Sequence, residues 1–311
     1  MKSVFSGIIP PVVTPLLSAE ELDAAAVDRV VDHMIDGGVS GLFLLGTTGE
    51  GPSLMYQVRY EMVEQACRKA DGRVPSLVCV TDCSMGEAIA LAEHSAEHGA
   101  AAIVSAAPYY FDVTQKHLAA WFRELADRSP LPLMLYNMPS CVGVNLDLDT
   151  VIELSDHENI IGIKDSGGDL AAFQKMAARF NGRQDFVTFI GSEELLPSAV
   201  AAGGAGGVTG GGNLLPQLYS DLYSASVENN SSRIAELRVL MERVFQTVYR
   251  DPSGKMNIIP ALKYALSLCG LCNSQTAPPL LPLAEDHAAQ IRSGLPGLLQ
   301  AAGSPLECSV P

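Results

Sequence analysis

The feature that most constrains this chain is a repeated alternation. Short, β-branched apolar runs bounded by turn residues recur through its first two thirds, and each is followed by a stretch with helical spacing. Such runs read as strands buried on both faces, the condition of a parallel sheet. The first is Ile8 to Thr14, despite Pro10 and Pro11, which a strand end tolerates. Residues 41–46, 75–81, 101–106, 131–136, 159–164 and 186–190 follow, and Val208-Thr209, inside a glycine-rich stretch, is a weak eighth. Ser18 with Glu21, and Ser84 with Glu87, have capping-box spacing. Val27, Val30, Val31, Met34 and Ile35 make an apolar stripe that Gly37-Gly38 ends, and Thr114 opens a further amphipathic helix.

Eight strand-plus-helix units predict a single (β/α)8 barrel, in class α/β, rather than two doubly wound domains. The barrel core is assigned to residues 1–212. Residues 213–300 are expected to give the last barrel helix and extra helices packed on the outside, and 301–311 a poorly ordered tail.

At 311 residues and 48% hydrophobic composition the chain can bury a large core. Its net charge of −15 opposes long-range attraction to phosphate backbones and anionic membrane surfaces, so neither nucleic acid nor membrane is expected as a partner. Seven cysteines, odd in number and scattered, suit free thiols in a reducing cytoplasm. Cys269 and Cys272 have redox-motif spacing but follow a helical pattern, and the spacing is read as coincidental. His94 and His98 have chelating spacing, yet Glu93 and Glu97 beside them favour a solvated face, so no metal is expected. The N-terminal Met1-Lys-Ser-Val-Phe superficially resembles a secretion leader; Pro10, Pro11 and Pro15 break the run, and no segment has the ~18 apolar residues a bilayer requires.

In a barrel of this kind the chemistry sits at the C-terminal strand ends. Lys164 ends the sixth strand, Tyr136 the fifth, Thr47 and Thr48 follow the second, and Tyr110 lies in the loop after the fourth. A free lysine near pKa ~10.4 is neutral in fewer than ~1 in 1,000 side chains at pH 7, whereas burial disfavours the ammonium and makes the amine a Schiff-base nucleophile. The alternative is a lysine that snorkels from a strand end into water. Tyr136 suits a proton shuttle because a phenol both donates and accepts, with Thr47 as relay and Thr48 with the Gly49 backbone as a carboxylate grip. Gly46 to Gly49 also reads as an ordinary strand-to-helix turn, Tyr109-Tyr110 as packing or interface, and Glu193-Glu194 as acids at a helix start.

Together Gly46-Thr-Thr-Gly-Glu50, Pro108-Tyr-Tyr110, Tyr136-Asn-Met-Pro139 with Gly143-Val144, Ile163-Lys164-Asp165 and Gly191-Ser-Glu-Glu194 resemble the dihydrodipicolinate synthase and N-acetylneuraminate lyase family of pyruvate-dependent Schiff-base barrels. The resemblance implies that Lys164 forms an imine with pyruvate or another 2-oxo acid. It also implies that Tyr136 shuttles protons, that Thr47 and Thr48 flank the carboxylate, and that Tyr110 reaches into a neighbouring subunit of a homotetramer, a dimer of dimers. It implies no cofactor, because the protonated imine is itself the electron sink. Where synthases that use aspartate semialdehyde carry an arginine, this chain has Cys141, and a thiol does not replace a charged planar fork. Glu193-Glu194 is similar to the pair by which sialic-acid lyases bind sugar hydroxyls. Ser166 matches a hydroxyl position of those lyases, while Gly210 replaces a serine they use. Gly191 and Val208 join the expected substrate-facing set.

The expected activity is a lyase that splits or forms a C–C bond between pyruvate and an aldehyde, on a 2-keto-3-deoxy sugar acid. The alternatives are the dihydrodipicolinate synthase reaction, dehydration of a similar sugar acid, a barrel whose glycines 203–212 cradle a phosphate, and a non-catalytic binding barrel.

Overall fold

A computed structural model describes residues 5–308. The expectations for the extreme N-terminus and for residues 309–311 of the tail fall outside these residues. Eight parallel strands form one sheet: β1 (Gly7–Ile8), β2 (Leu42–Leu44), β3 (Ser76–Cys79), β4 (Ala102–Ser105), β5 (Leu133–Asn137), β6 (Ile160–Asp165), β7 (Val187–Ile190) and β8 (Gly206–Gly207). Each pairs with its sequence neighbour from β2 to β8, and β8 returns to β1. The ring closes at Pro11, which bridges Phe43 in parallel; Val12 N–H donates to the Phe43 carbonyl (2.9 Å) and Phe43 N–H to that of Pro10 (3.0 Å). Pro10 and Pro11 have no N–H to offer, which limits this seam to a short ladder.

The helices α1 (Ala24–Asp36), α2 (Tyr56–Ala70), α3 (Met85–Glu97), α4 (Gln115–Arg128), α5 (Leu148–Leu154), α6 (Leu170–Phe180), α7 (Leu196–Ala201) and α8 (Pro216–Val227) alternate with the strands. Ser84 and Thr114 are N-caps as their spacing predicts, and Thr114 with His117 forms a full capping box. Ser18 and Glu21 do not cap a helix. They belong to an antiparallel hairpin, Leu16–Ser18 with Glu21–Leu22, and Asp23 caps α1 instead, accepting from Ala26 N–H at 2.9 Å. Leu16 and Leu22 are cross-strand partners and both are buried, so tertiary burial overrides the local signal.

The eighth strand is Gly206-Gly207, two residues before the expected Val208-Thr209. A Cβ at Gly206 would fall 1.9 Å from the Gly7 carbonyl oxygen, so β1 and β8 approach closely only because this residue is glycine. That requirement removed the apolar pattern by which a strand is recognised.

Beyond α8 come α9 (Ser231–Val244), which runs into a π-helical turn at Phe245–Tyr249, then α10 (Ile258–Leu268) and α11 (Glu285–Ala301). These elements do not only pack outside, as the sequence led us to expect: Phe245, Tyr249, the segment Met256 to Pro260 and Leu280 reach over the barrel mouth. Residues Leu306 and Cys308 pack against the core. Among the described residues no helix is long and apolar enough to cross a membrane.

Candidate active site

Tyr136 and Lys164 are register partners on β5 and β6, so both side chains project to the same face, into the barrel. Each is only 4% exposed. Lys164 Nζ lies 4.1 Å from the centroid of the Tyr136 ring and 4.5 Å from that of Phe43, with the two rings edge to face. Among the described residues no carboxylate pairs with this amine. Burial therefore dominates and lowers the lysine to about 7, which makes the neutral amine accessible near physiological pH. Burial also raises the Tyr136 phenol, against a hydrogen bond with Thr47 Oγ1 at 3.2 Å. The phenol therefore keeps its proton at neutral pH.

The loop after β2 brings Thr47 to this bond. The Thr48 and Gly49 N–H groups donate to no protein group among the described residues, and of the two residues only Thr48 lines the cavity with the amine. The loop is anchored from below: Glu50 pairs with Lys263 of α10 and accepts from Ala277 N–H at 2.7 Å. On the other side, Asn137 donates to Asp165 (2.7 Å) and to Asn145 (2.9 Å) and accepts from Leu146 N–H (3.0 Å). It ties the loop after β5 to the end of β6.

A cavity of about 470 Å³ opens above Lys164, within the range of small-molecule sites. It gathers Tyr136, Thr47, Thr48, Ser166, Gly191, Glu193, Glu194 and Val208 with the lysine. Gly191 makes room for its neighbour, since a Cβ there would sit 2.1 Å from Ser166 Oγ. A second lobe of about 410 Å³ shares Thr47, Tyr136, Met138, Ile259 and Leu280 and holds Cys141 with Thr81 and Tyr109. Gly49 lies in neither wall; its carbonyl accepts from Thr14 at 2.7 Å. Tyr110 is also in neither lobe. It stands 78% exposed, edge to face with Phe111, in a surface groove.

Burial separates the acidic pair. The Glu193 carboxylate is buried and already accepts from the Tyr219 hydroxyl, from the Tyr249 hydroxyl at 3.1 Å and from Gly211 N–H at 2.8 Å. Burial pushes its acid up, opposed by those bonds. Glu194 is exposed toward the cavity. The Gly211 bond also means that one N–H of the glycine-rich stretch serves a carboxylate, which counts against a phosphate cradle there. Lys164 is the one cation lining either lobe among the described residues. At the C-terminal end of α3, His94, Glu97 and the capping residue His98 bring their ligand atoms within 4.8 Å of one another, outside both lobes.

Phe43, Asn257 and the Glu50–Lys263 pair escaped the sequence reading. Glu50 stood inside a recognised motif but its partner is 213 residues away, a separation that no local pattern encodes.

The dihydrodipicolinate synthetase family model matches residues 4–296. The 4-hydroxy-tetrahydrodipicolinate synthase of Gluconacetobacter diazotrophicus is 32% identical over 295 residues, 95% of this chain and 97% of that protein. The solved dihydrodipicolinate synthase of Bacteroides thetaiotaomicron superposes with a TM-score of 0.90 at 39% identity, over 95% of this chain and 99% of that one. YagE of Escherichia coli K12, provisionally named a 2-dehydro-3-deoxy-D-gluconate aldolase, has been solved in complex with pyruvate; it superposes at 0.87 with 32% identity, over 97% and 99% of the two chains.

Proposed function

This chain belongs to the dihydrodipicolinate synthetase family of lysine-imine, class I aldolases, and from that premise we propose that it cleaves or forms the bond between pyruvate and a hydroxylated aldehyde, with Lys164 as the imine residue. The observation that carries the reading is the amine held 4.1 Å from the Tyr136 ring, without a carboxylate partner and brought to about 7 by burial. Lys164 attacks the ketone of the 2-oxo acid, and water leaves as the carbinolamine collapses to the imine. Tyr136 delivers and removes the protons through Thr47. The carboxylate rests on the Thr48 hydroxyl and its free N–H. Cleavage leaves the pyruvate carbons as an enamine, which Tyr136 protonates.

The preference for a sugar acid over aspartate semialdehyde rests on charge. The imine consumes Lys164, the pyruvate carboxylate takes the free N–H of Thr48, and among the described residues no second cation lines the lobes to hold a further anionic group. Glu194 and Ser192 instead offer hydrogen bonds to neutral hydroxyls. Glu193 positions Glu194 from below. Tyr110, exposed on one chain, completes the site of a neighbouring subunit in a homotetramer. Dehydration of the same acid passes through the same imine and is the second activity to assay.

Borohydride reduction in the presence of pyruvate tests the reading. The expected result is a covalent adduct on the peptide containing Lys164, absent in Lys164→Ala. Trapping on another residue, or none at all, refutes it.

A further inference from the structure

We propose that Asn257 binds a distal hydroxyl of the substrate, an inference that rests on the imine reading of Lys164. Asn257 is the N-cap of α10, yet its side chain makes no capping bond. An asparagine at that position ordinarily accepts from the N–H two or three residues on. Here the third residue is Pro260, which has no N–H, so one of those two donors is missing. Among the described residues the side chain has no hydrogen-bond partner at all, and it lines the cavity that contains Lys164.

The residue is nonetheless held firmly. Its N–H donates to the Tyr249 carbonyl at 2.8 Å, and the preceding Met256 bridges Arg250 across a tight turn. Tyr249 in turn donates its hydroxyl to Glu193, the residue before Glu194. One buried carboxylate therefore fixes both the Asn257 backbone and the start of the Glu194 segment. A carboxylate that only accepts and an amide that both donates and accepts complement hydroxyl groups, each of which does both. Neither offers a positive charge, so the matching ligand is a neutral, polyhydroxylated chain on the 2-oxo acid.

The test uses the full-length protein, a six-carbon 2-oxo-3-deoxy sugar acid and its 5-deoxy and 6-deoxy analogues. Asn257→Ala should raise KM for the parent acid by about tenfold, the scale of one lost hydrogen bond. The penalty should vanish on the analogue that lacks the contacted hydroxyl, and Asn257→Ser should recover part of it. Pyruvate trapping by borohydride should be unchanged in both variants, which also reports that they fold. Equal losses on parent and both analogues, or no loss, with trapping intact, overturn the role of Asn257 alone. Absence of trapping in the unsubstituted protein overturns the imine reading and this inference with it.

Discussion

Lys263 Nζ lies 2.5 Å from Glu50 Oε1 with both side chains fully buried, and this ion pair ties α10 to the loop that presents Thr47 and Thr48. A buried pair is often replaceable as a unit, but removal of one partner leaves a charge stranded in low dielectric. We expect Glu50→Leu or Lys263→Met alone to lower stability by about 3–5 kcal/mol in urea unfolding, and the double variant to recover most of the loss. Equal, additive losses would show that the two side chains do not act as a pair.

The amine of Lys164 links stability to pH with a definite sign. Its folded value is lowered to about 7 from the ordinary 10.5, so between those values the unfolded chain binds more protons. Burial of the ammonium costs stability in full below about pH 7, and that cost disappears as pH rises toward 10.5. Lys164→Met should therefore unfold at higher temperature than the unsubstituted protein at pH 6, with the gap narrowing at pH 9. Activity follows the same titration, so kcat/KM should rise through an acidic limb near pH 7. Calorimetry and a pH-rate profile check the two halves separately.

Tyr136→Phe keeps the ring beside Lys164 and the edge-to-face contact with Phe43 but removes the phenolic proton. The expected result is a 10²–10⁴-fold fall in kcat, the usual worth of a positioned proton carrier, with pyruvate still trapped by slow reduction. Thr47→Val breaks the 3.2 Å bond to the phenol and should cost less, because water can take the relay position. A Tyr136→Phe enzyme with unchanged kcat would remove the phenol from the mechanism.

Much of this was legible because the relevant signals are local. The apolar runs of β2 to β7 mark the strands, and barrel geometry carries whatever ends a strand to the mouth, which placed Lys164, Tyr136 and Thr47 together. What stayed hidden depends on contacts across the chain. The hairpin at Leu16 and Leu22 defeats the spacing of Ser18 and Glu21, because burying two leucines outweighs one cap. Gly206-Gly207 carries no hydrophobic signature, since close approach to Gly7 excludes side chains. Asn257 sits in a segment whose helical periodicity begins immediately after it, so its free amide is visible only once Pro260 is placed at the third helical position.

Tyr110 and Phe111 are 78% and 77% exposed, stacked edge to face at a loop tip. Two adjacent large rings left in water favour an interface, and burying each is worth about 1.5–3 kcal/mol. If they meet a second copy, Tyr110→Asp with Phe111→Asp should shift the mass measured by light scattering to a smaller species and cut kcat, while urea stability of the dissociated chain stays near normal. A mass unchanged by the double substitution would remove these rings from the subunit contact.

Cys141 offers the sharpest test of the charge argument. It is exposed and lines the second lobe beside Tyr136, Thr81 and Tyr109. Among the described residues neither lobe holds a cation apart from Lys164. Cys141→Arg introduces a planar, permanently charged fork, whose hydrogen bonds to a carboxylate are worth about 1.5–3 kcal/mol. The ratio of kcat/KM for aspartate semialdehyde to that for a neutral hydroxylated aldehyde should rise roughly ten- to hundredfold. Because the arginine joins the wall and leaves Lys164, Tyr136 and Thr47 in place, pyruvate trapping should persist, so the change reads selectivity and not loss of the site. A ratio that does not move would mean that the charge at position 141 does not govern which aldehyde is accepted.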